Sequence, residues 1–299
     1  MYLWRRGRAG RKAGNGLSDT AAAQLDEAAH RKPLTVPRGR PENLFDIGPV
    51  LAESGGARAS MPTGPWLRGR DGRLSPAGLG VLLDDVLGQA VLSKRPAGLW
   101  SVTTELNIDV AVPLPADGPA VTATAAPVLL DDAGGLARAE VRDTAGRCLA
   151  VGTTWARLVA GVPAAVLDPP KLSGDLDRGE CLSDLLQVRV PDSGILDLPS
   201  RVDLGNPQGV VHGGVLLCLT VMSAEQALHD SQLEVASVRV VYLRPAVQEL
   251  KFVPDIIHHG RSLGVVRVDV TNTAGALCTS ATVTARSAVG PRAGTRPRP

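Results

Sequence analysis

Residues 206–214 read Asn206-Pro207-Gln208-Gly209-Val210-Val211-His212-Gly213-Gly214, and an apolar run over 213–229 begins within them. If that run is a helix, the glycine pair lies at its N-terminus, where free backbone N–H groups and the helix dipole favour a developing negative charge. Glycine also lets a ligand approach the main chain closely. These are the requirements of an oxyanion hole made from backbone, and they point to chemistry at a carbonyl. The plainer alternative is a tight turn whose glycines only let the helix pack against a sheet.

The elements that must position this motif are legible from an internal comparison. In 41–160 a Gly/Pro-rich approach (61–76) enters a helical run at 77–92. Strand-like runs follow at 102–112 (ending at Pro113), 120–130, 136–142 and 148–158, with the turn Asp143-Thr144-Ala145-Gly146 before the last. In 176–286 the same order recurs: approach 202–211, helix 213–229, then runs at 235–243, 250–257, 263–271 and 277–286, with the turn Asn272-Thr273-Ala274-Gly275. The offset between the two drifts from 136 at the helix to 132 at the proline and 129 at the turn, as small loop changes in a duplicated unit would give. Alternating strands imply antiparallel pairs with one covered face, and one helix per unit is what would cover it. The expected fold class is α+β: two repeats of a long helix wrapped by an antiparallel sheet, paired within the chain. The expected organisation is a disordered basic arm (1–40), an N-terminal unit (41–160), a linker (161–175), a C-terminal unit (176–286) and a disordered tail (287–299).

The segment NPQGVVHGGVL resembles the NxxGxxHGG signature of hotdog-fold acyl-CoA thioesterases of the phenylacetyl-CoA (PaaI-like) type, and SVRVVYLRPA is similar to the strand after the hotdog helix. The resemblance extends over both units, strongly in the second, and identifies the chain as a suspected tandem, or double, hotdog protein. In the first unit the motif has decayed to Arg70-Asp71-Gly72-Arg73-Leu74-Ser75-Pro76-Ala77-Gly78. The family implies an acid nine residues after the motif His and a Ser or Thr ten before the proline that ends the next strand. The second unit has Val221 and Val235 at those places; counted from Pro76 and Pro113, the first has Asp85 and Thr103. Each unit keeps what the other has lost. Homodimeric relatives build the site across the subunit interface, so the resemblance implies one composite site per chain, of Asp85 and Thr103 with Asn206, His212, Gly213 and Gly214.

As the family implies, the Gly213 or Gly214 N–H would bind the thioester oxygen, and Asp85 would activate water or attack to form an anhydride. Thr103 would hold the water, with Asn206 and His212 orienting the thioester. Asp84, about 100° away around the helix, and Glu225, thirteen residues after His212, are competing acids. Arg261, in the stretch His258-His259-Gly260-Arg261-Ser262, and Arg244 are candidates to pair with a CoA phosphate.

Composition limits the rest. The net charge of +2 over 299 residues belongs to the tails: residues 1–40 hold 9 Lys/Arg against 3 Asp/Glu, while 41–285 hold 19 against 27. With only 4 Trp, 2 Tyr and 2 Phe there are few stacking platforms, so a nucleic-acid partner is not expected. The apolar stretch 210–222 is too short and interrupted to span a membrane. Cys148, Cys181, Cys218 and Cys278 lack metal or disulfide spacing, and no apolar segment follows the basic start, so a cytoplasmic protein without metal or other cofactor is expected. No GxSxG elbow occurs, and no His follows an Asp by five residues, which disfavours serine-hydrolase and hydratase chemistry. The expected activity is hydrolysis of acyl-CoA to free acid and CoA, by a monomeric pseudo-dimer or a homo-oligomer. The rival is a non-catalytic acyl-CoA or lipid-binding protein of the same fold.

Overall fold

The computed structural model describes residues 39–287 except 54, 70–71, 94, 97, 116–119, 168–178 and 230–231. All of these lie in one compact unit, Leu34–Pro299. Most of the basic arm, the later part of the linker, Arg70 and all but the first residue of the tail fall outside the described residues.

Among the described residues eleven strands form one antiparallel sheet. The N-terminal half contributes β1 (Leu51–Glu53), β2 (Gly56–Met61), β3 (Leu99–Val110), β4 (Val121–Asp131), β5 (Gly134–Arg142) and β6 (Cys148–Ala160). The C-terminal half contributes β7 (Leu196–Leu198), β8 (Leu233–Tyr242), β9 (Leu250–His259), β10 (Leu263–Asn272) and β11 (Leu277–Ser287). The order is β1-β2-β4-β5-β6-β3-β8-β11-β10-β9-β7, so β3 and β8 join the halves. Their register pairs Glu105 with Val241 and Ile108 with Val238, and Arg239 clasps Asp109 through two bonds of 2.7 and 2.9 Å beside it. This ion pair is exposed and adds at most about 1 kcal/mol. Alternation sets the register more firmly: Val266, Val268 and Val270 of β10 are buried, and a slip by one residue would turn all three outward.

Among the described residues five α-helices accompany the sheet: α1 (Arg40–Leu44), α2 (Leu79–Leu92), α3 (Ala164–Leu167), α4 (Leu182–Leu185) and α5 (Gly213–Ala227). The two long ones, α2 and α5, pack on the sheet and on each other. Most of their residues are buried, which is why their sequences are apolar on nearly every face. Both helices have glycine where they touch. A Cβ on Gly80 would stand 2.7 Å from the Gly214 carbonyl oxygen, and one on Gly214 would stand 2.5 Å from that of Gly80.

The two long helices and eight of the strands lie within a few residues of their expected bounds. The sequence reading did not anticipate β1, β2, β7 or the short helices. The stretch taken as a linker carries α3, and α4 buries Leu182 and Leu185 soon after it. Such three- to six-residue elements are too short to show a period.

The glycine contact makes a stability prediction. Gly80→Ala should cost about 2 kcal/mol in urea unfolding, because its new methyl meets backbone that cannot swing aside. Gly88→Ala, one helix stretch further where a Cβ meets nothing within 4 Å, should leave stability unchanged or raise it by up to about 1 kcal/mol.

Candidate active site

The motif 206–214 folds as a turn feeding a helix. Asn206 Oδ1 accepts from the backbone N–H of Gln208 at 2.9 Å and of Val210 at 3.3 Å, and Gly209 supplies the positive φ of 77° that closes the loop. The His212 N–H donates to Leu204 O at 2.9 Å, and His212 then caps α5. Asn206 therefore shapes the turn that delivers the cap.

Opposite the start of α5 stands α2. The Gly214 N–H donates to Asp84 Oδ2 at 2.8 Å, and Thr103 Oγ1, from β3, donates to Asp84 Oδ1 at 3.1 Å. His212 Nδ1 lies 3.1 Å from the Gly214 nitrogen and 3.3 Å from Asp84 Oδ2. On the far side of the ring, Nε2 is 3.3 Å from Glu42 Oε1. One imidazole thus sits between two carboxylates, and both it and Glu42 are buried. Burial alone would lower the imidazole pKa; the hydrogen bond to Glu42 and the charges of Asp84, Glu42 and Asp85 override it and hold it at about 9. At neutral pH the ring is therefore an imidazolium, with Nδ1–H donating to Asp84 and Nε2–H to Glu42. Burial likewise works against the Glu42 carboxylate, but the hydrogen bond and charge of His212 prevail and keep its pKa below the ordinary value.

A cavity of about 370 Å³ opens beside this group. Its polar wall includes Asp84, Thr103, Asn206, His212 and Gly213, and its apolar wall includes Leu92, Trp100, Val211 and Leu216. Tyr242, also on the wall, donates from its hydroxyl to Gly213 O at 2.7 Å. Burial and the charge of Asp84 push the phenol pKa well up, so it stays a neutral donor. The Gly214 N–H is taken by Asp84, and it is Gly213 that faces the cavity.

The structure brings together Asn206, His212, Gly213, Thr103 and Arg244, all on the cavity wall, with Gly214 directly behind. Asp85 also lines the cavity, but the acid that meets Gly214, Thr103 and His212 is Asp84. The reason is the cap. Ser75 Oγ accepts from the Ala77 N–H two residues on, and His212 Nδ1 stands at the matching place, 3.1 Å from the Gly214 nitrogen, so Ser75 rather than Pro76 is the counterpart of His212. Nine residues after Ser75 is Asp84. Arg261 lies in the turn between β9 and β10 and is not among the cavity-lining residues. Glu225 sits elsewhere, accepting from Ser75 Oγ at 2.8 Å.

Sequence reasoning missed Glu42 and Tyr242. Glu42 arrives on α1, which is anchored by buried Phe45, edge-on to Trp66 at 5.9 Å. Its available signal was a Gly-Arg-Pro-Glu helix start, with the acid in the first turn.

Residues 202–286 match the family described as the acyl-CoA thioesterase N-terminal domain. Solved structures resemble the chain over most of its length. The 12:0-ACP thioesterase from Umbellularia californica is 14% identical and covers 77% of this chain and 93% of its own at a TM-score of 0.55. The tesB protein of Mycobacterium avium subs paratuberculosis is 10% identical, covering 79% and 94% at 0.54. A protein of unknown function with a hot dog fold from Alicyclobacillus acidocaldarius is 11% identical, covering 85% and 100% at 0.55. The fold of this chain is a hotdog fold. No curated protein sequence matches it. Among the described residues no helix is long and apolar enough to cross a membrane.

The buried charge group predicts how stability varies with pH. His212 binds its proton more tightly folded than unfolded, so its contribution is complete below about pH 6.5 and is lost as pH rises through about 9. Glu42 acts oppositely, and its contribution is lost as pH falls below 4.5. Urea midpoints should therefore be highest between about pH 4.5 and 6.5 and decline toward pH 9. In Glu42→Gln the alkaline decline should begin at the same pH, end lower and be smaller in total.

Proposed function

We propose that this chain hydrolyses acyl-CoA thioesters to the free acid and CoA, and that it is a tandem pair of hotdog units sharing one composite site. The observation that carries the proposal is the meeting of Asp84 and Thr103 from one half with His212, Gly213 and Gly214 from the other around a single cavity. The matched family, the thioesterase structures that share the fold and the resemblance of the motif to PaaI-like thioesterases support the same reading.

In this mechanism the thioester carbonyl oxygen accepts from the Gly213 N–H at the positive end of α5. That donor strengthens as the tetrahedral oxyanion forms, an effect worth on the order of 3 kcal/mol in other enzymes. Asp84, its Oδ1 bonded by Thr103 and its Oδ2 by Gly214, activates water or attacks the carbonyl carbon to give an anhydride that water then cleaves. His212 and Glu42 are positioning residues: the imidazolium, 3.3 Å from Asp84 Oδ2, holds that carboxylate in place. CoA leaves as the thiol after protonation of its sulfur. Arg244 is the cavity-wall cation suited to a CoA phosphate.

Two measurements test this. With thiol release followed over a panel of acyl-CoAs, Asp84→Asn should lower kcat by at least about 100-fold, whereas Asp85→Asn should stay within about fivefold of the parent. Equal loss in both variants would remove Asp84 from its role, and no release by the parent would remove the hydrolase reading. Gly213→Ala and Gly213→Pro place similar bulk near Asp84, but only proline deletes the N–H; kcat of the proline variant should be about 100-fold below that of the alanine variant.

A further inference from the structure

The second large cavity, of about 870 Å³, is bounded by the segments that correspond to the walls of the first. Where the first cavity has Tyr242 to Ala246 and Val102 to Thr104, this one has Val110 to Leu114 and Glu234 to Ala236. It has lost each chemical group in turn. The counterpart of Gly213 is Pro76, which has no N–H to donate. The next donor, the Ala77 N–H, is taken by Ser75 Oγ at 3.1 Å. Counted from the caps, Val221 replaces Asp84, and counted back from Pro113 and Pro245, Val235 replaces Thr103. Glu225 is engaged by Ser75 at one end of the cavity.

Abandoned space in a folded protein tends to fill, because interiors pack to crystal-like density. Here the chemistry has gone and the space is more than twice that of the first cavity. The wall includes Val112, Leu228, Leu233, Val235 and Ala236, an aliphatic surface whose exposure to water is unfavourable. Arg68, Arg73 and Arg286 line it as well, against the two carboxylates of Glu225 and Glu234. An aliphatic lining with an excess of guanidinium groups is complementary to a chain with an anionic head.

We infer that this cavity is a second binding site, for a fatty acyl group carrying an anionic head, which it holds without cleaving. The ligand class is shared by acyl-CoA and by free fatty acid, and its choice rests on the thioesterase reading; the site itself does not.

The test is the stoichiometry of binding by the full chain, measured calorimetrically with dodecanoate, with a hydrolysis-resistant dodecanoyl-CoA thioether, and with CoA alone. The parent should bind two acyl ligands per chain. Ala236→Trp and Val112→Trp, each filling the second cavity from a different strand end, should bind one while keeping thiol release within about threefold of the parent. Arg286→Glu should weaken the second site by about tenfold or more. Whichever of dodecanoate and the thioether binds at the second site identifies the natural form of the head. If the parent binds only one acyl ligand, if a folded tryptophan variant still binds two, or if CoA alone fills the second site, the inference falls. Loss of one bound ligand in the tryptophan variants of a parent that releases no thiol would uphold the second site and overturn the hydrolase reading instead.

Discussion

The backbones of α2 and α5 can touch near their N-termini because neither Gly80 nor Gly214 carries a Cβ. Almost every feature of the site follows from that approach. It brings a carboxylate of one helix to the free N–H groups of the other, and it does so at the end where the dipole is positive. A side chain at either glycine would drive the helices apart by more than the 2.8 Å bond between Asp84 and Gly214 can stretch. The sheet then has only to curve around the helix pair, and Thr103 of β3 reaches Asp84 from the sheet side.

The second constraint is electrostatic. Asp84, Asp85 and Glu42 crowd one end of a half-enclosed cavity, where unbalanced negative charge is costly. A protonated His212 offsets part of it, and its two ring nitrogens let one residue serve carboxylates on opposite sides. The same ring caps α5 when neutral, so the helix end has a hydrogen-bond partner in either state.

Much of this was legible in the sequence because it is periodic. Two long helices and eight strands announced themselves by apolar spacing, and the turns DTAG and NTAG tied the halves together. The HGG motif located the helix end. Where the structure departs from the sequence count, the reason is local in each case. Counting from Pro76 gave Asp85, since a proline in the place of a motif residue looks like its counterpart; only the hydrogen bond from Ala77 to Ser75 shows that the cap lies one residue earlier. Glu42 is not signalled by comparing the halves, because α4, whose backbone hydrogen bonds repeat those of α1, carries Ser183 at the matching place. Arg261 was placed by analogy with a loop, and distance along a strand carries it away from the cavity. The strands β1 and β7 have three residues each and β2 six; β1 and β2 form a hairpin too short to show alternation, while β2 and β7 also pair with the distant β4 and β9.

The pairing of β3 with β8 has one further consequence. Two different subunits free in solution would assort into three dimers, only one of which could join the Asp84 half to the His212 half in a mixed pair. In the proposed tandem arrangement the halves are covalently tied and their sheets run on through that seam, so the mixed pairing forms at an effective concentration set by the connecting chain and is independent of expression level. Each half is then released from having to pair with a copy of itself. Substitutions that would have spoiled a symmetric dimer, such as Pro76 opposite Gly213, become tolerable on one side only.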